Sequence, residues 1–174
     1  DKYYLKIILV HSLSSGQVLF ENYRTEDAFL AMKEMVELLT LELVKKHMVT
    51  NSIHLSIGYA DEKIPCSKGH RSLDGFTSSY RKLLSSYKKL FYEIVLQDTL
   101  IRKLGISFGH VVDESYKTYD LFEEEEEEKE HRSQLAIIEI KERFGKNAIL
   151  RGMNLEEKAT TPKRNKLIGG HNGE

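Results

Sequence analysis

The chain has 174 residues, a net charge of −1 at neutral pH and a single cysteine, Cys66. This length suffices to bury an ordinary hydrophobic core, and one cysteine excludes a disulfide framework. No apolar run is long enough to span a bilayer, and the near-neutral charge does not by itself indicate nucleic-acid binding, although it permits a positive patch on one face.

The first predicted elements are a strand and a helix. The strand covers residues 12–20 and ends in three consecutive apolar residues. Thr25 is a good N-cap for the helix, and Glu26 and Asp27 place negative charge where the helix dipole favours it. Apolar residues then recur at three- and four-residue steps, which predicts one buried stripe: Phe29, Met32, Val36, Leu39 and Leu43.

Three further strands and a second helix follow. Residues 51–59 alternate between apolar and small polar side chains, as expected for a half-buried strand. A weaker strand covers residues 69–76, and residues 77–79 form the cap of a helix. The last strand is predicted from Leu100 to about Val112. The second helical stripe has the same spacing as the first: Tyr80, Leu83, Tyr87, Leu90 and Ile94.

The resulting β-α-β-β-α-β order predicts an α+β fold in which two helices cover one face of a four-stranded sheet, followed by a helical or irregular C-terminal extension. The other sheet face is then open, and a solvated surface is one interpretation of it. The alternative is close approach of a phosphate backbone, favoured because acidic side chains are missing from its positions. These positions are Ser52, His54, Ser56, Gly58, Lys103, Gly105, Ser107 and Gly109.

Three segments resemble a known family. Residues 11–19, His-Ser-Leu-Ser-Ser-Gly-Gln-Val-Leu, resemble the first strand, Lys-Ser-Ile-Gly-x-x-Gln-x-Leu, of the little finger domain of Y-family DNA polymerases. Residues 100–108 resemble the last strand of that domain, Ile-Arg-x-Ile-Gly-Val-x-x-Ser. Residues 143–145, 149–152 and 166–171 resemble the tail of the UmuC/ImpB/MucB/SamB branch, which includes UV-damage repair proteins.

The resemblance implies that the open face lies in the DNA major groove and holds the primer and template backbones. The sequence departs from the family pattern at His11, Ser14 and Ser107, which weakens the positive field. The implied DNA contacts are Ser12, Ser14 and Gln17 on the first strand, Lys68, His70 and Arg71 on the third, and Arg102, Lys103 and Ser107 on the fourth.

The catalytic chemistry of such polymerases needs paired carboxylates and Mg²⁺ in a palm domain, which this chain lacks by the same resemblance. Within the chain, the histidines and the cysteine show no metal-ligand spacing, and Gly169-Gly170-His171 lacks the lysine of a phosphate loop. We therefore expect no catalytic residue, no metal and no cofactor here.

The domain prediction has four parts. Because the chain begins with Asp1 rather than methionine, we expect a piece of a longer protein, with residues 1–11 ending a preceding segment. Residues 12–112 form the little finger domain, residues 113–130 an acidic linker, and residues 131–174 the C-terminal extension. The glutamates at 123–128 predict a solvated or disordered run, and residues 159–174 predict a flexible tail.

A short peptide in the linker resembles the sliding-clamp-binding peptide of bacterial polymerases, of the form Gln-Leu-x-Leu-Phe. Its candidate clamp contacts are Thr118, Tyr119, Leu121 and Phe122. Such a peptide offers adjacent apolar side chains to a pocket on the clamp. The alternative is that Leu121 and Phe122 fold back onto the core of the domain.

Three functions remain open at this point. The first is the DNA-binding domain of an error-prone translesion polymerase of the SOS type, in the bacterial cytoplasm and without a membrane partner. The second is a protein-interaction module whose tail binds the sliding clamp or a recombinase filament, with the sheet as scaffold. The third, a small independent enzyme, is disfavoured because no acid, base or metal set converges.

Overall fold

The computed structural model describes residues 12–168 and 171–172. The predicted preceding segment, residues 1–11, lies outside the described residues, as do residues 169–170 of the tail motif. The described elements are β1 (Ser12–Tyr23), α1 (Thr25–Lys45), β2 (Met48–Tyr59), β3 (Ser67–Thr77), α2 (Tyr80–Ile94), β4 (Ile101–Gly109), β5 (Val112–Asp113), α3 (Glu124–Phe144), α4 (Thr161–Arg164), β6 (Leu167–Ile168) and β7 (His171–Asn172), with short 3-10 helices at Glu114–Tyr116 and Gly152–Leu155.

The α+β class is confirmed, with more elements than expected. The main sheet is antiparallel and has the strand order β1-β4-β2-β3. A fifth short strand, β5, pairs with the beginning of β2 through Met48 and Val49. The predicted last strand was too long because the backbone turns after Gly109, where His110 adopts a positive φ of 46°. Besides α1 and α2, which were predicted, the α-helices α3 and α4 are described in the C-terminal part, where a helical or irregular extension was expected.

Helices α1 and α2 cover one face of the sheet. Alternate residues of the central strands are buried beneath them, among them Ile53, Ile57 and Phe108. The predicted stripes are largely confirmed, since Met32, Val36, Leu39, Leu43, Leu83, Tyr87 and Leu90 belong to this core. Burial of such apolar faces is the main favourable contribution to the folding of the domain.

The helix starts differ slightly from prediction. Helix α1 begins at Thr25 itself, its N-cap is Arg24, and no side chain caps it. Glu26 and Asp27 do lie in its first turn, as expected. In α2, Ser79 accepts a hydrogen bond from the Lys82 amide at 3.2 Å and therefore acts as the N-cap.

The acidic run is neither a linker nor disordered, because it forms the first turns of helix α3. Four consecutive glutamates at this N-terminus are favoured by the helix dipole. Glu127 is 2 % exposed and forms ion pairs with Lys82 and Lys117. Glu130 accepts hydrogen bonds from Ser79 Oγ at 2.6 Å and the Arg81 amide at 3.1 Å. The expected boundary at residue 130 thus falls inside a helix that docks on α2.

The C-terminal extension packs on the side of α1 that faces away from the sheet. Glu34 is 1 % exposed, and its carboxylate accepts hydrogen bonds from the Thr160 amide at 2.6 Å, the Thr161 amide at 3.1 Å and the Asn154 side chain at 2.7 Å. Arg151 Nε donates to Glu37 Oε1 at 2.6 Å. The prediction of a flexible tail from residue 159 is therefore wrong at its beginning, where residues 159–161 are buried.

Candidate nucleic-acid interface

Strand register arranges the open face in rows of small polar residues that run across the sheet. Ser14 pairs with Ser107, Ser107 with His54, and His54 with His70. Paired residues in antiparallel strands point to the same face, so each row presents its side chains together. The neighbouring rows are Ser12, Gly109, Ser52 and Ser72 on one side and Gly16, Gly105, Ser56 and Lys68 on the other.

Because several positions of the open face are glycine, few side chains project above the sheet backbone there. A Cβ atom at Gly105 would lie 2.6 Å from Ser56 Oγ, and one at Gly58 would lie 2.9 Å from Lys103 Cβ. The face contains a shallow depression of about 430 Å³, lined by residues that include Ser14, Gly16, His54, Ser56, Lys68, Gly105 and Ser107. A surface of hydroxyls and missing side chains lets a phosphate backbone approach closely.

The open face brings together six of the nine residues expected to contact DNA. Lys68, His70 and Lys103 are exposed on it, and the His54 and His70 rings stack with centroids 5.7 Å apart. Lys68 and His70 lie on β3 and Lys103 lies on β4, among the serine and glycine rows. The six residues are Ser12, Ser14, Lys68, His70, Lys103 and Ser107.

The other three expected DNA contacts do not join this face. Gln17 pairs with the buried Leu104 and thus lies on the helix side, where its Nε2 is 3.5 Å from Thr160 Oγ1. Arg71 pairs with the buried Ile53 and forms an ion pair with Glu93 of α2. Arg102 is the extra residue of a bulge, since Ile101 and Lys103 pair with consecutive residues of β2. It is half-buried.

Sequence reasoning missed two apolar residues of β1, Val18 and Phe20, that are exposed by 59 % and 45 %. Val18 pairs with Lys103 of the open face. Their alternation with the buried Leu19 was a signal that could have placed them there, but the run Val-Leu-Phe suggests a fully buried strand end.

Tyr87 supports the sheet from beneath. Its hydroxyl donates to the backbone oxygens of Ser107 at 2.9 Å and His54 at 3.2 Å, in the central row. Burial raises the pKa of the Tyr87 hydroxyl, although hydrogen bonds to these carbonyls act in the opposite direction. The side chain therefore remains a neutral donor that holds β2 and β4 in place under the open face.

The clamp-like peptide, which holds the candidate clamp contacts at residues 118–122, is hydrogen-bonded to β3 at its beginning and exposed at its end. The Thr118 amide donates to the Phe76 oxygen at 3.0 Å, and Thr118 Oγ1 accepts from the Phe76 amide at 3.0 Å. Tyr119 is 56 % exposed, Leu121 88 % and Phe122 96 %. The interpretation that Leu121 and Phe122 fold back onto the core is therefore wrong.

The described part of the chain contains neither a convergent set of metal ligands nor a helix suited to a membrane. Within residues 12–168 and 171–172, no three histidine, cysteine or acidic side chains converge as a metal site would require. No helix in the same residues has both the length and the apolar character needed to cross a membrane.

Comparison with known proteins gives a family match over most of the folded domain. The model of the impB/mucB/samB family C-terminal domain matches residues 10–121. The UvrX protein of Bacillus subtilis (strain 168) is 26% identical over 163 residues, which cover 92% of this chain and 38% of UvrX. The chain thus spans well under half the length of this curated relative.

Two solved structures are also similar to the domain. A Dbh ternary complex aligns with a TM-score of 0.46 at 13% identity, over 59% of this chain and 29% of that one. The little finger domain of PolIV, solved in complex with the beta-clamp processivity factor, aligns with a TM-score of 0.47 at 10% identity, over 64% of this chain and 98% of that one.

Proposed function

This chain belongs to the impB/mucB/samB family C-terminal domain, and from that premise we propose that it is the DNA-gripping little finger domain of a translesion polymerase. In this proposal the open sheet face lies in the major groove of the primer–template duplex. The name of the relative UvrX, which refers to UV-damage repair, supports the same assignment to DNA repair in a bacterial cytoplasm.

The observation that carries the proposal is the composition of the open face. Its rows hold serine hydroxyls and glycines, with Lys68, Lys103, His54 and His70 beside them, and none of the row residues is acidic. Hydroxyl, amide and ammonium groups are the usual donors to phosphate oxygens. A solvated face without a function would more commonly carry long charged side chains of both signs.

These donors suit binding that ignores base sequence. Phosphate contacts fix the position and orientation of a protein on the duplex but carry no sequence information. A translesion polymerase must act at any sequence, so a surface of this kind fits its task. In the proposal, polymerisation itself takes place in a separate catalytic domain that holds Mg²⁺, and this chain contributes the grip without catalysis.

The test is fluorescence-anisotropy titration of a labelled primer–template duplex across a salt series. Binding of the wild-type chain should weaken linearly with log[salt], with a slope of about −0.9 for each phosphate neutralised. For the variant Lys103→Ala, the slope of log affinity against log[salt] should be smaller in magnitude by about one. Arg71→Ala is the matched control, since Arg71 is a cation of the same sheet that lies on the helix side and pairs with Glu93.

Two results would count against the proposal. Equal losses of DNA affinity and salt slope for Lys103→Ala and Arg71→Ala would mean that DNA does not bind preferentially to the open face of the sheet. Absence of salt-dependent binding at low ionic strength would remove the DNA-gripping role of the isolated chain.

A sliding clamp is the second partner that we propose, because Leu121 and Phe122 project from the domain almost fully exposed. The Phe122 amide donates to Asp120 Oδ1 at 3.1 Å, and the Glu123 amide to the Asp120 oxygen at 3.1 Å, so the two apolar residues lie in a turn. An extended bound peptide requires this turn to open.

Calorimetric titration with a purified bacterial sliding clamp tests this second role. Phe122→Ala should abolish measurable binding, whereas Phe144→Ala, which removes another exposed ring, should leave it unchanged. Equal binding by the wild-type chain and Phe122→Ala would rule out this peptide as the clamp contact without affecting the DNA-binding proposal.

A further inference from the structure

One end of the open face has a different character from its serine and glycine rows. Val18 is 59 % exposed and Phe20 45 % exposed, whereas Leu19 between them is 1 % exposed in the core. The exposure of Val18 and Phe20 on either side of the buried Leu19 indicates that both project away from the core. An exposed aromatic ring offers no hydrogen-bond donor to a phosphate group. Binding of the DNA backbone by the serine and glycine rows therefore does not explain why Val18 and Phe20 are exposed.

Two lysines from distant parts of the chain frame the apolar pair. Lys103 of β4 is the register partner of Val18. Lys163 of α4 places its Nζ 5.7 Å from the centroid of the Phe20 ring. Helix α4 holds this position because the buried Glu34 carboxylate binds the amides of Thr160 and Thr161 at its beginning. The extension thus completes a basic rim along the β1 edge of the open face.

An exposed ring with a lysine ammonium group beside it matches the chemistry of single-stranded nucleic acid. Unpaired bases stack on aromatic side chains, while nearby cations bind the phosphates that flank them. Bases within a duplex are already stacked on each other and present no free face. An exposed contact between a cation and a ring is weak, so Lys163 can leave the ring for a phosphate at small cost.

We propose that Phe20 is a stacking platform for an unpaired base of the single strand that adjoins the gripped duplex, with Lys163 binding a phosphate next to that base. This inference rests on the proposed function, because the duplex lies on the neighbouring rows. Sequence independence is retained, since every base has a stacking face.

The experiment compares three labelled ligands that share one duplex. The first is blunt, the second carries a single-stranded template extension of about eight nucleotides, and the third carries the same extension with abasic sites. The abasic extension keeps the phosphates and removes the bases. The wild-type chain should bind the base-bearing extension on the order of fivefold more tightly than the abasic one.

Variants of Phe20 separate stacking from other effects. Phe20→Ala should equalise the affinities for the base-bearing and abasic extensions and leave blunt-duplex binding unchanged. Phe20→Trp should keep the difference, and because the chain contains no tryptophan its fluorescence should be quenched by the base-bearing extension alone. Phe144→Ala, which removes an exposed ring from helix α3, is the matched control and should behave as wild type.

The outcomes also distinguish this inference from the proposed function. Equal binding of the two extensions by the wild-type chain, with duplex binding intact, would overturn the stacking platform alone. So would a Phe20→Ala variant that keeps the difference, and the exposed pair would then be a contact for an apolar protein surface. Failure of every ligand to bind would overturn the DNA grip, and the stacking platform with it.

Discussion

The two faces of the sheet use the same strands for different purposes. On the covered face, residues such as Ile53, Leu104 and Phe108 are excluded from water by α1 and α2. On the open face, their immediate neighbours Ser52, Lys103 and Ser107 form polar rows. The comparison shows that one strand can stabilise the fold through every second residue and leave the others free to bind. Substitutions at adjacent positions should therefore separate stability from DNA affinity.

The largest effect is expected on the covered face. Phe108 is fully buried, with its ring 6.2 Å from that of Tyr87, so Phe108→Ala should lower the free energy of unfolding by about 3–5 kcal/mol. Ser107→Ala, one residue away on the open face, should change it by no more than about 0.5 kcal/mol. Urea unfolding of both variants measures the difference. Similar losses of stability would contradict the division between the faces.

A second effect concerns the layer beyond α1. Glu34→Gln replaces one carboxylate oxygen with an amide nitrogen. The Thr160 and Thr161 amides donate to different oxygens of Glu34, so one of the two amides loses its acceptor. We expect a loss of about 1–3 kcal/mol in the free energy of unfolding, because a buried donor is left unsatisfied. Limited trypsin digestion should also cleave sooner at Lys158 and Lys163.

Glu139→Gln is the control for this prediction, since Glu139 pairs with Arg143 on the exposed surface of α3 at 3.1 Å. Its stability should hardly change. If Glu34→Gln resembles this control in both measurements, the carboxylate does not hold the extension in place.

A third substitution affects binding more than stability. Gly105→Val would raise side-chain bulk in the middle of the open face, where an added Cβ atom would lie 2.6 Å from Ser56 Oγ. We expect duplex affinity to fall about fivefold, equivalent to roughly 1 kcal/mol, because the phosphate backbone is held away. Gly152→Val, at a site with open space, should bind as wild type in the same anisotropy titration. Unchanged binding by Gly105→Val would place the DNA elsewhere.

The smallest expected effect is a pH dependence of stability, which arises from a residue outside both faces of the sheet. Burial lowers the pKa of His131, assisted by the positive charge of Lys117 and of His47 and opposed by Glu114. The unfolded state then binds a proton first as pH falls below the ordinary histidine value of about 6.5, so stability should decrease there. His131→Gln should flatten this decrease between pH 7.5 and 5.5 in thermal unfolding. An unchanged slope would exclude His131 as its source.

Local patterns in the sequence predicted the elements well. Apolar periodicity located helices α1 and α2 and the alternation of β2, because burial of one face imposes that period on the chain. Strand ends were less accurate, as Ser12–Tyr23 and Met48–Tyr59 are both longer than expected. The additional residues still pair with neighbouring strands, as Tyr23 does with Ile101 and Met48 with Asp113, and hydropathy does not reveal backbone pairing.

The site was predicted only where alternation is regular. Ser107 follows from the alternation of the last strand, and the structure pairs it with Ser14, which the family resemblance implied. Arg71 was expected beside His70, although adjacent strand residues cannot share a face. Arg102 occupies a bulge, which interrupts the period at a place that depends on pairing with β2.

By itself, the sequence determined which segments are helices and strands, which residues can form a core, and that two helices leave one sheet face free. Tertiary structure alone decided that Glu34 and Glu37 bind the extension, that Lys163 reaches Phe20, and that Leu121 and Phe122 remain exposed. The periodic spacing of apolar residues indicates only which face of a single helix or strand is buried. A buried carboxylate becomes favourable only when donors more than a hundred residues away surround it, and no local pattern records that distance.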